Sequence, residues 1–360
     1  MPPIEDYGPL TPYLSAGDVT EVMVNGPNKI FIEQAGKIQQ VERKFPNEGE
    51  LLRVLRQFLT LAGKTLSPQM PMLDCRLGDG SRMTVTTPPV TAQVCFTIRR
   101  PMYRALDLQE LVTRGTLSSP MGDLIRIAIQ MRLNMLISGG TSSGKTTLLN
   151  AVASLIPKQT RIVTIEDTFE ISLPHLNWVA METVFQGRGE GGATIDMRSL
   201  VAHALHLRPD RILLGEMRGA EALDVLQAMN SGHDGALATI HASSPMDVIS
   251  RLETLVMMAG YEIPLVAIRQ QICRAINLIV QMRRTAEGTR QVTAISEVSG
   301  LQEGRVTVQD VFVLGRARNG QVGFSSTGYT PSFIQQAQAQ GIQIPGNLFG
   351  PAAQQHSSAA

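Results

Sequence analysis

The chain has 360 residues, 43% of them apolar and 18% charged, with a formal net charge of +1. This length and composition suit two compact domains with buried cores and exclude global disorder. Near-neutral charge gives no broad attraction for nucleic acid, and the scattered Cys75, Cys95 and Cys273 form neither a disulfide framework nor a zinc pattern, as fits a reducing cytoplasm.

Residues 1–17, rich in Pro and Gly, read as an irregular lead-in. Glu5 and Asp6 stand where a signal peptide would be basic, and no apolar run is long enough to span a membrane. Work at a membrane would therefore need a recruiting partner. Strands are expected at Thr20–Asn25 and Lys29–Glu33, joined by a turn at Asn25-Gly26-Pro27-Asn28. A helix with a capping box starts near Asn47 and Glu50, and repeats Leu51, Leu55, Phe58, Leu59 and Ala62 on one face. Strands around Asp74–Leu77, Arg82–Thr86 and Val94–Arg99 complete a small α+β domain over residues 1–101. Residues 102–118 read as a linker.

Beyond it, over residues 119–315, helices alternate with apolar strands. The strands are Asn134–Ser138, Arg161–Ile165, Arg211–Gly215, Ala236–Ile240 and Ile276–Met282, and the helices Thr146–Leu155, Met197–Leu207 and Ala220–Met229. This is an α/β pattern that predicts a largely parallel sheet covered on both faces. The Gly-rich stretch 187–192 reads as a flexible loop, and residues 316–360, rich in Gln, Ala, Gly, Pro and Ser towards the end, as a partly disordered extension.

Gly139-x-x-x-x-Gly144-Lys145-Thr146 follows an apolar strand and opens a helix, the context a phosphate-binding loop requires. Glycines let successive backbone N–H groups turn inward, and the helix N-terminus adds partial positive charge. Lys145 can reach the β- and γ-phosphates of ATP, and the Thr146 hydroxyl can ligate Mg²⁺. Hydrolysis also needs a carboxylate to hold a water. Glu216 and the Glu166-Asp167 pair lie at the carboxyl ends of strands, where open α/β sheets bind ligands. Glu216 fits water polarisation; Glu166 and Asp167 fit metal or water positioning, or else cap the next helix or pair with arginines. His241, at another strand end, can donate to the γ-phosphate. His203 and His206 lack a third ligand and read as structural. Arg76, Arg82, Arg99 and Arg100 lie on or beside first-domain strands, where the residue pattern alone favours ordinary solvated charge.

Four blocks occur in a familiar order: GGTSSGKTT at 139–147, RIVTIEDTFEI at 161–171, LRPDRILLGEMRG at 207–219 and GHDGALATIHASS at 232–244. They resemble the Walker A, Asp box, Walker B and His box of the type II and type IV secretion ATPases. VMVNGPNKIFIEQAGKI at 22–38, DCRLGDGSRMTVTTPP at 74–89, FTIRRP at 96–101 and AISEVSGLQEGRVTVQDVFVL at 294–314 resemble the CpaF-type branch that powers Tad pili. The four-cysteine zinc module of other branches is absent from the sequence.

The resemblance implies an N-terminal PAS-like domain linked to a RecA-like P-loop domain. It implies a cytoplasmic homohexamer at the inner membrane that hydrolyses ATP with Mg²⁺ and acts on a platform protein, with no nucleic-acid partner. It assigns Glu216 as catalytic carboxylate, with Glu166 and His241 completing the site. Gly139, Gly140, Thr141, Ser142, Ser143, Gly144, Lys145, Thr146 and Thr147 hold the nucleotide, Thr146 and Asp167 are the metal candidates, and Arg82 and Arg99 contact phosphate. A type IV secretion motor is the near alternative; a nucleic-acid translocase or a non-hydrolysing scaffold are the distant ones. Departures are Ser142 where the family usually has Gly, and His206 and Val184 where arginines are common. Ser142 is harmless unless its position needs a positive φ.

Overall fold

A computed structural model of the chain describes residues 6–100, 106–184, 194–316 and 322–350. The chain divides into two compact units, the first covering described residues 6–100 and 194, the second 106–184, 195–316 and 322–350.

The first unit begins with a short helix, α1 (Thr11–Ser15), where an irregular lead-in is expected. Then come β1 (Val19–Asn25), β2 (Ile30–Gln34), β3 (Lys37–Gln40), α2 (Glu48–Leu61), β4 (Met72–Arg76), β5 (Arg82–Thr86) and β6 (Cys95–Arg99). The strands form one antiparallel sheet in the order β3-β2-β1-β6-β5-β4. Strand alternation sends Val22, Val24, Ile30, Ile32, Met83, Val85, Phe96 and Ile98 to one face. There they pack against Leu51, Val54, Leu55 and Phe58 of α2. Asn47 caps that helix by accepting from the Glu50 amide at 3.0 Å, whereas the Glu50 carboxylate pairs with Arg53 at 2.7 Å; only half of the expected capping box forms. The unpredicted β3 follows a two-residue turn, Ala35-Gly36, in which both residues have positive φ.

The second unit opens with α3 (Leu108–Thr113), inside the expected linker. Asp107 and Glu110 form a full capping box around it, and Leu108, Leu111 and Leu117 are buried in this unit's core. The remaining elements are α4 (Ser119–Gln130), β7 (Met135–Gly139), α5 (Lys145–Ala153), β8 (Ile162–Glu166), β9 (Trp178–Glu182), α6 (Met197–His206), β10 (Arg211–Met217), α7 (Glu221–Asn230), β11 (Leu237–Ile240), α8 (Pro245–Met257), α9 (Leu265–Ala275), β12 (Leu278–Arg284), β13 (Arg290–Gln302), β14 (Arg305–Arg316), β15 (Val322–Ser326) and α10 (Phe333–Ala339). One nine-stranded sheet results, ordered β15-β14-β13-β12-β7-β11-β10-β8-β9. It is parallel from β12 to β9 and antiparallel from β12 to β15, so a third of it departs from the expected parallel pattern.

Alternate strand residues feed two cores. Met135, Ile137, Leu213 and Leu237 face α3, α4 and α5, while Leu136, Val163, Ile165, Ile212 and Leu214 face α6 to α9. The C-terminal stretch, expected to be loose, packs as far as it is described: Phe333, Ile334, Ala337 and Leu348 are buried in the first of these cores. Residues 187–192 lie outside the described residues. No helix among those described is long and apolar enough to cross a membrane.

Candidate nucleotide site

Parallel register brings the carboxyl ends of five strands to one edge of the second sheet. Ser138 of β7 pairs with Ile240 of β11 and Gln281 of β12, and β10 and β8 continue the row. The chain leaves β7 at Gly139, turns through residues 140–144 and enters α5 at Lys145. Two glycines have no substitute. A Cβ on Gly139 would lie 2.5 Å from Ser143 Oγ and 2.6 Å from the Met282 carbonyl oxygen, and Gly144 has φ +94°. Ser142 also has a positive φ, +57°, so the condition that makes a serine costly there is met. Gly140 and Thr141 are exposed, Ser143 is buried and its hydroxyl oxygen has no protein partner. Thr147 sits half-buried in the first turn of α5.

Lys145 is buried and its Nζ donates to the carbonyls of Gly139 at 3.1 Å and Gly140 at 3.0 Å. The same Nζ lies 3.4 Å from His241 Nε2. His241 Nε2 in turn lies 3.0 Å from Glu216 Oε1, a close approach without hydrogen-bond alignment, since that oxygen is buried and otherwise unpartnered. Glu216 Oε2 accepts from Arg218 Nη2 at 2.8 Å, and Arg218 Nη1 reaches Asp167 Oδ2 at 2.9 Å. Lys145, His241, Glu216, Arg218 and Asp167 thus form one continuous row of polar groups along the strand ends. Burial lowers the pKa of His241 below the ordinary imidazole value. The Lys145 charge adds to this, and Glu216 opposes it.

Glu166 ends β8 and is buried. Its Oε1 accepts from the amides of Glu170 and Ile171, both at 2.8 Å, and its Oε2 is orphaned. Burial pushes its carboxyl up to about 7, against the pull of the two amides. The turn that Glu166 pins places Glu170, which accepts from the Thr146 hydroxyl at 3.1 Å. Thr146 therefore meets Glu170, and Asp167 meets Arg218. Glu170 and Arg218 were not singled out from the sequence, although both lie inside the quoted blocks. A carboxylate four positions after Glu166, aligned with an Arg two after Glu216, was the available signal.

Arg82 and Arg99 belong to the first unit, on β5 and β6. They stand opposite each other across β5 and β6; Arg76 continues the row on β4 and Glu21 on β1. Arg82 pairs with Asp74 at 3.5 Å. Arg100 instead reaches the carbonyls of Tyr13 and Val19, at 3.4 and 3.1 Å, and of Ala16, a structural tie. His203 and His206 are exposed on α6, and Val184 bridges to Ile195 through two backbone bonds.

A glycine-rich turn between a parallel strand and a helix, with a carboxylate two strands away at the same sheet edge, defines a RecA-like P-loop domain. Here it is linked to a PAS-like α+β domain. The family model for "Type II/IV secretion system protein" matches residues 4–341, and the chain belongs to that family. It is 33% identical to a putative conjugal transfer protein of Mycobacterium tuberculosis over 316 residues, 85% of this chain and 87% of that one. It is 30% identical to the type IV secretion system protein VirB11 of Bartonella henselae over 324 residues, 80% of this chain and 90% of that one. The ATPase DotB of Legionella pneumophila shares its fold, with TM-score 0.57 and 17% identity over 93% of this chain and 86% of that one.

Proposed function

We propose that the protein is a motor ATPase of a secretion or pilus machine, hydrolysing ATP at the glycine-rich loop of its second unit. The observation that carries this reading is the linkage of Lys145 through His241 to Glu216, at 3.4 and 3.0 Å. A glycine loop alone would support binding; a carboxylate so placed supports hydrolysis.

The loop fits a polyphosphate: its backbone admits no side chain at Gly139 or Gly144, and a buried Ser143 hydroxyl awaits a partner. In this reading the loop amides and Lys145 hold the β- and γ-phosphates. The Thr146 hydroxyl, with Glu170 beside it, is the place for Mg²⁺, which when bound neutralises charge on the phosphates. Glu216 orients the attacking water through Oε1, while Arg218 fixes its other oxygen. His241, held neutral, carries a hydrogen-bonding nitrogen between Glu216 and Lys145. Glu166 keeps Glu170 in place through the two amides. Arg82 and Arg99 would add positive charge against the γ-phosphoryl.

We further assign the working form as a homohexameric cytoplasmic ring at the inner membrane, turning a platform protein. The Tad-pilus branch is favoured by the stretches at 22–38, 74–89 and 294–314. The names of the conjugal transfer and VirB11 relatives favour a type IV secretion motor as the second reading. Copurification with a pilus platform rather than a conjugation channel would separate the two. The activity itself is tested by phosphate release from MgATP. Glu216→Gln is expected to lose about a hundredfold or more of turnover while still binding ATP. Near-normal turnover in that variant would remove Glu216 from the mechanism.

A further inference from the structure

The hairpin of β12 and β13 stands beside the glycine-rich loop, and its arm carries Arg290 in register with Arg284. Arg290 does two things to the loop. Its Nε–H donates to the carbonyl oxygen of Ser142 at 3.1 Å. Its aliphatic stem covers Gly144, so that a Cβ at Gly144 would lie 3.0 Å from Arg290 Cδ. The peptide it grips belongs to the residue whose backbone is least at ease. Ser142 has φ +57°, a conformation an L side chain adopts against a steric penalty. Such a residue persists only where its surroundings hold it. The bond from Arg290 is the hold that the structure provides, across 148 positions of sequence.

We propose that Arg290 is a positioning residue: it locks the loop in its left-handed turn at Ser142 and so keeps the loop amides aimed inward. The proposal rests on the loop being the nucleotide site only for its effect on ATP; the lock itself is a property of the chain. Arg290 acts here on the loop backbone, through Ser142 and Gly144. Its influence passes through the Ser142 peptide, and Lys cannot replace it, because an ammonium on a flexible stem offers no side-on N–H at that point.

A double-mutant cycle tests this on the full chain. Arg290→Lys is expected to speed amide exchange at residues 141–144 about tenfold and to raise the KM for ATP by a similar factor, with kcat changed less than about twofold. In a Ser142→Gly background the turn needs no hold, and the same Arg290→Lys change should then cost no more than about twofold in either readout. Equal losses in both backgrounds would overturn the lock and leave Arg290 as a phosphate contact or a fold residue. If exchange follows the cycle but the wild-type chain binds no ATP, the lock stands and the nucleotide reading falls. If ATP binds and Arg290→Lys changes neither readout, the lock falls and the nucleotide reading stands.

Discussion

Glu166 folds into surroundings that favour its protonated carboxyl, and His241 into surroundings that favour its neutral ring. Their contributions to stability run in opposite directions with pH. Glu166 has a folded value of about 7, above its value of 4.5 in an unfolded chain, so its contribution is complete below 4.5 and is lost as pH rises through 7. The folded value of His241 is depressed, so its contribution is present above its ordinary 6.5 and is lost as pH falls from there through the folded value. Glu166→Gln keeps an acceptor for the amides of Glu170 and Ile171 and removes the buried charge. Denaturant unfolding should show it more stable than the wild type at pH 8 by up to about 3 kcal/mol, with the gap closing towards pH 4.5. A gap that does not change with pH would mean that the carboxyl titrates as if exposed. Glu216, His241 and Lys145 were legible in the sequence because apolar runs fix where strands end, and parallel register then aligns those ends. Glu170 was not, since its direction is set by a turn folded back on Glu166. Arg290 was not, since nothing local links it to Ser142.

The same limit operates for whole elements. Composition marks the last thirty residues as loose, yet α10 docks on the core, beyond β15, which pairs with β14. What anchors this stretch is Glu297 of β13, buried and accepting from Tyr329 Oη at 2.6 Å and from the Ser332 amide and hydroxyl at 3.0 and 2.6 Å. Burial and that bond push the Tyr329 phenol up to about 12. Glu297→Ala would remove the acceptor shared by the half-buried Tyr329 hydroxyl and the Ser332 amide and hydroxyl, and should cost about 1–2 kcal/mol in urea unfolding. It should also expose the bonds between residues 326 and 340 to limited proteolysis. An unchanged cleavage pattern would show that the apolar contacts of Phe333 and Ile334 suffice. Helix α3 teaches the same lesson. Residues 102–118 read as a linker until the burial of Leu108 and Leu111 is seen.

For the molecule as a whole, the sequence separates an α+β part from an α/β part because hydrophobic period and strand spacing change between them. It does not disclose the antiparallel third of the larger sheet, β13 to β15, which the alternation of helices and apolar strands read earlier in the chain does not reach. Whether the first unit serves the chemistry is tested by replacing Arg82 and Arg99 with alanine together. Turnover should fall about a hundredfold or more if their charge meets the γ-phosphoryl, with both units still unfolding as in the wild type. Unaltered turnover would leave the row of arginines as surface charge. A ring with cooperating subunits further requires that turnover per chain rise with protein concentration.

The hairpin of β13 and β14 closes through two residues, Glu303 and Gly304, with φ of +50° and +74°. Mirror-type turns of this kind twist in the same sense as the strands they join. Long strands joined so directly pay little loop-closure entropy, whereas each parallel neighbour pairs only after a crossover has been gathered in. The two halves of this sheet therefore differ in the time at which they can form. The hairpin can zip by itself within microseconds and offer β12 a ready edge. The edge that carries the glycine-rich loop would then be assembled last, on a template already in place.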